Sequence, residues 1–153
     1  MQAIETSSFH KENIVHLKAG QQDGLANILS AYSRADKQFL SFRFSGLAVR
    51  PDLPLWSQPL GPNLRSLEFR DCEIGEKDLA AILSQTRWLV SLALVNCRES
   101  FMSGNFLAND GERRAVREGL ATLRSLCLDS NKYLSDVLLI RISETTPSLE
   151  HLR

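Results

Sequence analysis

Apolar residues along this chain recur in one phrase. LRSLEFRDC, from Leu64, and LVSLALVNC, from Leu89, both read L-x-x-L-x-L-x-x-C at an interval of 25 residues, with Phe69 as the third apolar residue of the first copy. Alternation at the fourth and sixth places is strand periodicity. It sends Leu67, Phe69, Leu92 and Leu94 to one face and the residues between them to the other. Carried back, the interval meets FLSFRFSGL, with Phe39, Phe42, Phe44 and Leu47, and then IVHLKAG, with Ile14, Leu17, Ala19 and Gln22 in the ninth place. Carried forward, it meets LRSLCLDSN after 34 residues, with Leu123, Leu126, Leu128 and Asn131, and LEHLR from Leu149 after 26 more. The pattern predicts six strands, with starts near 14, 39, 64, 89, 123 and 149. Units repeated at such a period cannot bury their apolar faces alone and stack on one another.

Between the strands the pattern changes to that of helices. Ile74, Leu79, Ile82 and Leu83 fall largely on one helical face, as do Leu25, Ile28, Leu29 and Tyr32 behind a start at Asp23. Leu134, Leu139 and Ile142 form a third stripe, with Ser135 or Asp136 as N-cap and Pro147 at its end. Two returns differ. Pro51, Pro54, Pro59 and Pro62 exclude a regular helix, which leaves an extended or short 3₁₀ return anchored by Leu53, Leu55, Trp56 and Leu60. The return from 98 to 122 is nine residues longer than its neighbours. Its second half reads as a helix from about Glu112 to Leu120, and 99–111 reads as a protruding loop. Phe101, Met102, Phe106 and Leu107 in that loop either pack on the helical side or form an exposed partner contact.

The phrase resembles that of leucine-rich repeats. The resemblance implies an α/β fold, a single solenoid array over 1–153 with a curved parallel sheet on its concave side and helices and irregular returns on its convex side. In such units the ninth residue satisfies backbone groups where the chain leaves the strand, and Cys72, Cys97 and Asn131 occupy that place, the two cysteines as buried structural thiols. More narrowly, LSDVLLIRISETTPSLEHLR (134–153) resembles the cysteine-containing repeats of F-box proteins. Leu134, Ser135, Asp136, Leu139, Ile142, Pro147, Leu149 and Leu152 stand in that pattern, and Thr86 and Thr146 replace the family's second cysteine. No F-box helix lies near the N-terminus. Arg153 ends the chain one residue before the third apolar place of its last strand, so a longer array is expected.

Composition narrows the class. Eighteen basic and eighteen acidic residues cancel, which argues against a general nucleic-acid or anionic-membrane surface. There is neither an 18-residue apolar run nor an apolar leader segment, and three cysteines at intervals of 25 and 30 fit a reducing compartment, cytoplasmic or nuclear. His10, His16 and His151 are scattered, and no zinc, phosphate-loop or nucleophile motif occurs. No enzyme, cofactor or metal is expected. Asp71 and Glu73 read as a solvated turn.

The outward strand positions are where specificity would lie. Stacked at the repeat interval they form three columns: His16, Ser41, Ser66, Ser91, Ser125 and His151; Lys18, Arg43, Glu68, Ala93, Cys127 and Arg153; and Gly20, Ser45, Arg70, Val95 and Asp129. Lys18, Arg43, Glu68, Arg70 and Asp129 are the candidate contacts for a protein or peptide partner, with Phe101, Met102 and Phe106 as a second candidate in the long return. Either these strand residues are merely solvated or they read a partner. From the F-box resemblance, substrate recognition in a ubiquitin ligase pathway is the expectation. The alternative is a leucine-rich-repeat scaffold or receptor segment unrelated to ubiquitination.

Overall fold

The computed structural model describes residues 5–7, 14–18, 41–46, 48–49 and 64–153, of which 5–7 and 14–18 are described by their backbone path. The helical stripe from Leu25 to Tyr32 and the proline-rich return lie outside the described residues. Within them the fold is mixed α/β, built on one open sheet of seven strands in sequence order. These are β1 (Glu5–Ser7), β2 (Ile14–Lys18), β3 (Ser41–Ser45), β4 (Ser66–Arg70), β5 (Ser91–Val95), β6 (Ser125–Cys127) and β7 (His151–Leu152). The strands β2 to β7 pair in parallel, whereas β1 runs antiparallel to β2. No strand was expected at 5–7, where the residues lack the phrase.

Four described helices accompany the strands: α1 (Glu76–Ser84), α2 (Arg98–Phe101), α3 (Asp110–Gly119) and α4 (Asp136–Thr145). Parallel neighbours require a crossover connection, and between β4 and β7 these helices lie in it. One apolar layer lies between sheet and helices. Phe42, Leu67, Leu92 and Leu126 form one buried row across the strands, and Phe44, Phe69 and Leu94 form the next. The rings of Phe42, Phe44 and Phe69 stack at centroid separations of 5.6 and 5.3 Å. Ile74, Leu79, Ile82, Leu83, Val116, Leu120, Leu138 and Ile142 close the layer from the helical side.

Where each strand ends, the chain turns by a repeated device. Gly46, Asp71, Asn96 and Ser130, the eighth residue of successive phrases, all adopt positive φ, between 51° and 66°. Gly, Asp and Asn are the residues that tolerate this conformation best. The ninth residue then reaches back to the previous unit. Cys72 Sγ lies 3.3 Å from the Phe44 carbonyl oxygen, Cys97 Sγ 3.4 Å from that of Phe69, and Asn131 Nδ2 2.5 Å from that of Leu94. Asn131 Oδ1 also accepts from the Cys97 N–H at 2.7 Å. Each link satisfies a buried carbonyl, which would otherwise cost about 1–3 kcal/mol.

Three expectations are corrected. The register of β2 against β3 is two residues from that of the repeat interval: His16 pairs with Arg43 and Lys18 with Ser45, not with Ser41 and Arg43. A slip of two keeps each residue on its face, so alternation alone cannot detect it. In α4 the inward residues are Leu138, Ile142 and Thr145, and Leu139 is exposed. Spacing of i, i+4, i+7 makes that stripe, and Ser135, whose side chain accepts from the Leu138 N–H, sets where it starts.

The third correction concerns the long return. It does not protrude: of the two readings of its apolar residues, packing on the helical side holds for Phe101, Phe106 and Leu107, which are buried. The rings of Phe101 and Phe106 meet edge to face at 5.6 Å. Leu107 has a positive φ of 61°, held by Glu112 Oε1 at its N–H and Arg113 Nη1 at its carbonyl. Arg141 Nη1 donates to the Gly104 carbonyl at 2.8 Å. Apolar content and charged clamps together convert the extra length into core. The following helix starts at Asp110, two residues before the expected Glu112, because Asn109 caps it by accepting from the Glu112 N–H.

The helices α1 and α3 approach so closely that only glycine fits between them. A Cβ on Gly119 would lie 2.0 Å from the Leu83 carbonyl oxygen. Buried Thr86 fixes the contact by donating to, or sharing its proton between, the carbonyls of Leu83 (2.8 Å) and Gly119 (2.9 Å). Gly119→Ala is expected to destabilise the fold by about 1–3 kcal/mol, since the obstruction is backbone. Urea unfolding would show it as a lower midpoint at unchanged slope, and an unchanged midpoint would refute the close approach.

Burial pushes the Cys97 thiol up to about 12, with the nearby Cys72 and Asp71 acting in the same direction. Below the ordinary value of 9.0 the thiol is protonated whether folded or unfolded. Between there and about 12 only the unfolded chain releases the proton, so stability falls as pH rises through this window. Denaturation measured from pH 8 upward should show an alkaline loss that is smaller in Cys97→Ala. Equal slopes in the two proteins would exclude this origin.

Candidate binding face

The described helices cover one face of the sheet, and among the described residues the other face is left open. On the open face the outward residues of successive strands come into rows. Ser41, Ser66, Ser91, Ser125 and His151 form the first; Arg43, Glu68, Ala93 and Cys127 the second; Ser45, Arg70 and Val95 the third. Small hydroxyl side chains in the first row hold the surface close to the backbone. Charges stand in the other two.

The structure brings together most of the candidate contacts. Arg43 and Arg70 are exposed and Glu68 half-buried. Arg70 Nη2 lies 3.8 Å from Glu68 Oε1, a loose pair across the face. Asp129 is bound more closely by Arg153, whose Nε and Nη2 lie 2.9 and 2.7 Å from Asp129 Oδ2. Lys18 belongs to β2, but register sets it beside Ser45 and away from the position next to Arg43. Val95, on the same face, is only 8% exposed between its neighbours. A depression of about 320 Å³ is bounded by Glu68, Arg70, Ala93, Cys127, His151 and Arg153. Cys127 is half-buried there, unlike the two buried thiols of the ladder.

The second candidate does not survive as drawn. Phe101 and Phe106 are 1% and 2% exposed and therefore serve the core, whereas Met102 is 51% exposed. Met102 borders a larger hollow, of about 560 Å³, at the carboxyl ends of β4, β5 and β6. Its walls include Asp71, Glu73, Arg98, Glu99, Lys132 and Tyr133. Arg98 and Lys132 both lie over the Tyr133 ring, at 5.5 and 5.3 Å, and Asn96 Nδ2 donates to Asp71 Oδ1 at 2.8 Å. From sequence, Asp71 and Glu73 read as a solvated turn and Glu99 as the start of the loop, and the hollow they share was not foreseen. The signal available in the sequence was the equivalent place of Asp71, Asn96 and Ser130 in successive phrases.

Among the described residues no group of three or more His, Cys, Asp or Glu side chains is placed to hold a metal ion. No described helix is long and apolar enough to cross a membrane. The molecule is thus an α/β protein with an open, mainly parallel sheet and a polar, charged sheet face. The chain matches no protein-family model, no curated protein and no solved structure.

The hydrogen bond from Arg153 holds the Asp129 carboxyl below its ordinary value of 3.8, helped by the Cys127 side chain and the positive charge of Arg70. A depressed carboxyl favours the folded state above its unfolded value, and that contribution fades as pH falls. Carbon-detected NMR titration should find Asp129 ionising below ordinary aspartates. Arg153→Ala should return it toward 3.8. An unshifted midpoint in the unaltered protein would contradict the pairing.

Proposed function

We propose that this chain is a leucine-rich-repeat solenoid whose open sheet face binds a protein or peptide partner. The observation that carries the reading is the alignment of Arg43, Glu68 and Arg70 on neighbouring parallel strands, on a face that the described helices leave uncovered. Strands in sequence order, the described helices on one side of the sheet and the backbone links made by the ninth residues support the solenoid assignment. Graded charge over small serines suits an extended or loop-shaped segment, whose side chains meet the rows in turn. On the resemblance of 134–153 to F-box repeats, the partner would be a ubiquitin-ligase substrate. A scaffold or receptor role outside ubiquitination is the competing setting, and association of the full gene product with the cullin-ligase adaptor discriminates them.

The face itself is tested by charge reversal. Partners captured by proximity labelling and rebuilt as purified proteins should bind Arg43→Glu/Glu68→Arg at least about tenfold more weakly than the parent. Both side chains reach solvent, so thermal unfolding should be little changed. Binding that persists through both reversals would place recognition elsewhere.

A further inference from the structure

A second surface lies at the opposite ends of the strands. Arg65, Val90, Arg124 and Glu150 each stand one residue ahead of β4, β5, β6 and β7, and all four are exposed. Backbone hydrogen bonds stitch them into a row. The Arg65 carbonyl accepts from the N–H of Val90 at 2.8 Å, the Val90 carbonyl from Arg124 at 2.9 Å, and the Arg124 carbonyl from Glu150 at 2.8 Å. These bonds are part of the strand pairing, so the spacing along the row is as rigid as the sheet.

Trp88 flanks this row with 54% of its surface exposed, and Val90 within the row is 40% exposed. The Arg65 guanidinium carbon lies 6.0 Å from the Trp88 ring centroid, and its Nη1 donates to the Trp88 carbonyl at 3.2 Å. Arg87, next in sequence, is also exposed. Among the described residues, Arg65, Arg87 and Arg124 make no ion pair, while Arg70, Arg113 and Arg153 do. Arg65 against the exposed indole, Arg87 next to it in sequence and Arg124 beyond Val90 in the row give this edge a cationic and aromatic character on a chain of zero net charge. Large exposed apolar groups beside arginine are the composition of interaction hot spots.

We propose that this rim docks an acidic segment of a partner protein, one with an apolar side chain between two carboxylates. The order Arg65–Val90–Arg124 supplies cation, apolar, cation on successive strands about 4.8 Å apart. An extended segment laid across it projects alternate side chains about 7 Å apart on one side, a spacing that long arginines can follow. The indole held by Arg65 extends the apolar contact. Glu150 closes the row with negative charge, and a neutral chain lacks the broad basic field that nucleic acid requires, so an acidic protein segment is favoured over a polynucleotide. This surface is distinct from the open sheet face and does not rest on the function proposed for it.

The test uses the whole chain and an end-capped 12-residue peptide made of Glu-Ser-Leu-Ser repeats. A version with Lys for Glu and a 12-nucleotide oligothymidylate serve as controls. The acidic peptide should bind saturably at low ionic strength and change an emission component that is absent in Trp88→Phe. Arg65→Glu and Arg124→Glu should each weaken binding about tenfold or more, while Arg70→Glu on the sheet face leaves it unchanged. Unchanged thermal unfolding of the variants would confirm that the patch, and not the fold, was altered. The proposal is overturned by no saturable binding, by equal binding of the lysine peptide, by equal or tighter binding of oligothymidylate with the same arginine dependence, or by equal loss in Arg70→Glu.

Discussion

The structure depends on what happens to the backbone carbonyls where each parallel strand ends. The main chain must turn away from the sheet there while the preceding unit's last inward residue is already buried. Phe44, Phe69 and Leu94 each present a carbonyl at this place, and Cys72, Cys97 and Asn131 answer them in turn. A thiol gives a small donor that also tolerates an apolar setting. The amide of Asn131 does more, since it accepts from Cys97 and donates to both Leu94 and Leu128. The larger group falls after the longest described return, where one more backbone junction has to be held. Left-handed residues immediately before these links aim them.

The same economy of polar partners recurs on the helical side. Ser100 is fully buried and donates to the Ile74 carbonyl, and Thr145 donates to that of Ile142. Thr86 and Thr146, at corresponding helix ends, turn hydroxyls onto the last helical carbonyls, a task that a capping side chain can perform without water. With these groups satisfied, the layer between sheet and helices can be almost wholly apolar. The outer face of the sheet is thereby released from structural duty, and its polar rows are shaped by solvent and by whatever they bind.

The two exposed surfaces differ in physical character. On the sheet face the charges are partly matched within the molecule, Arg70 with Glu68 and Arg153 with Asp129, so a partner must exchange existing pairs. At the strand N-termini Arg65, beside Trp88, and Arg124 make no ion pair among the described residues, so a partner there adds pairs without exchanging existing ones. Exposed ion pairs contribute little to folding. Selectivity for a partner, more than stability, is what such an arrangement can supply.

The phrase at Leu64 and Leu89 determined the strands β2 to β7, their inward rows and the place of Cys72, Cys97 and Asn131, because alternation and fixed spacing are local properties, whereas β1 lacks the phrase. The phrase placed Arg43, Glu68 and Arg70 side by side for the same reason. Tertiary structure decided the rest. The two-residue slip that moved Lys18 beside Ser45 leaves facing unchanged, so no alternation records it. The choice of Leu138 over Leu139, and the burial of Phe101 and Phe106, depend on which surface the neighbouring helices present. The arginine row at 65 and 124 exists only where hydrogen bonds bring residues 59 apart in sequence to adjacent-but-one strands. Periodicity fixes which side of a strand a residue occupies, while register and helix packing fix what stands beside it.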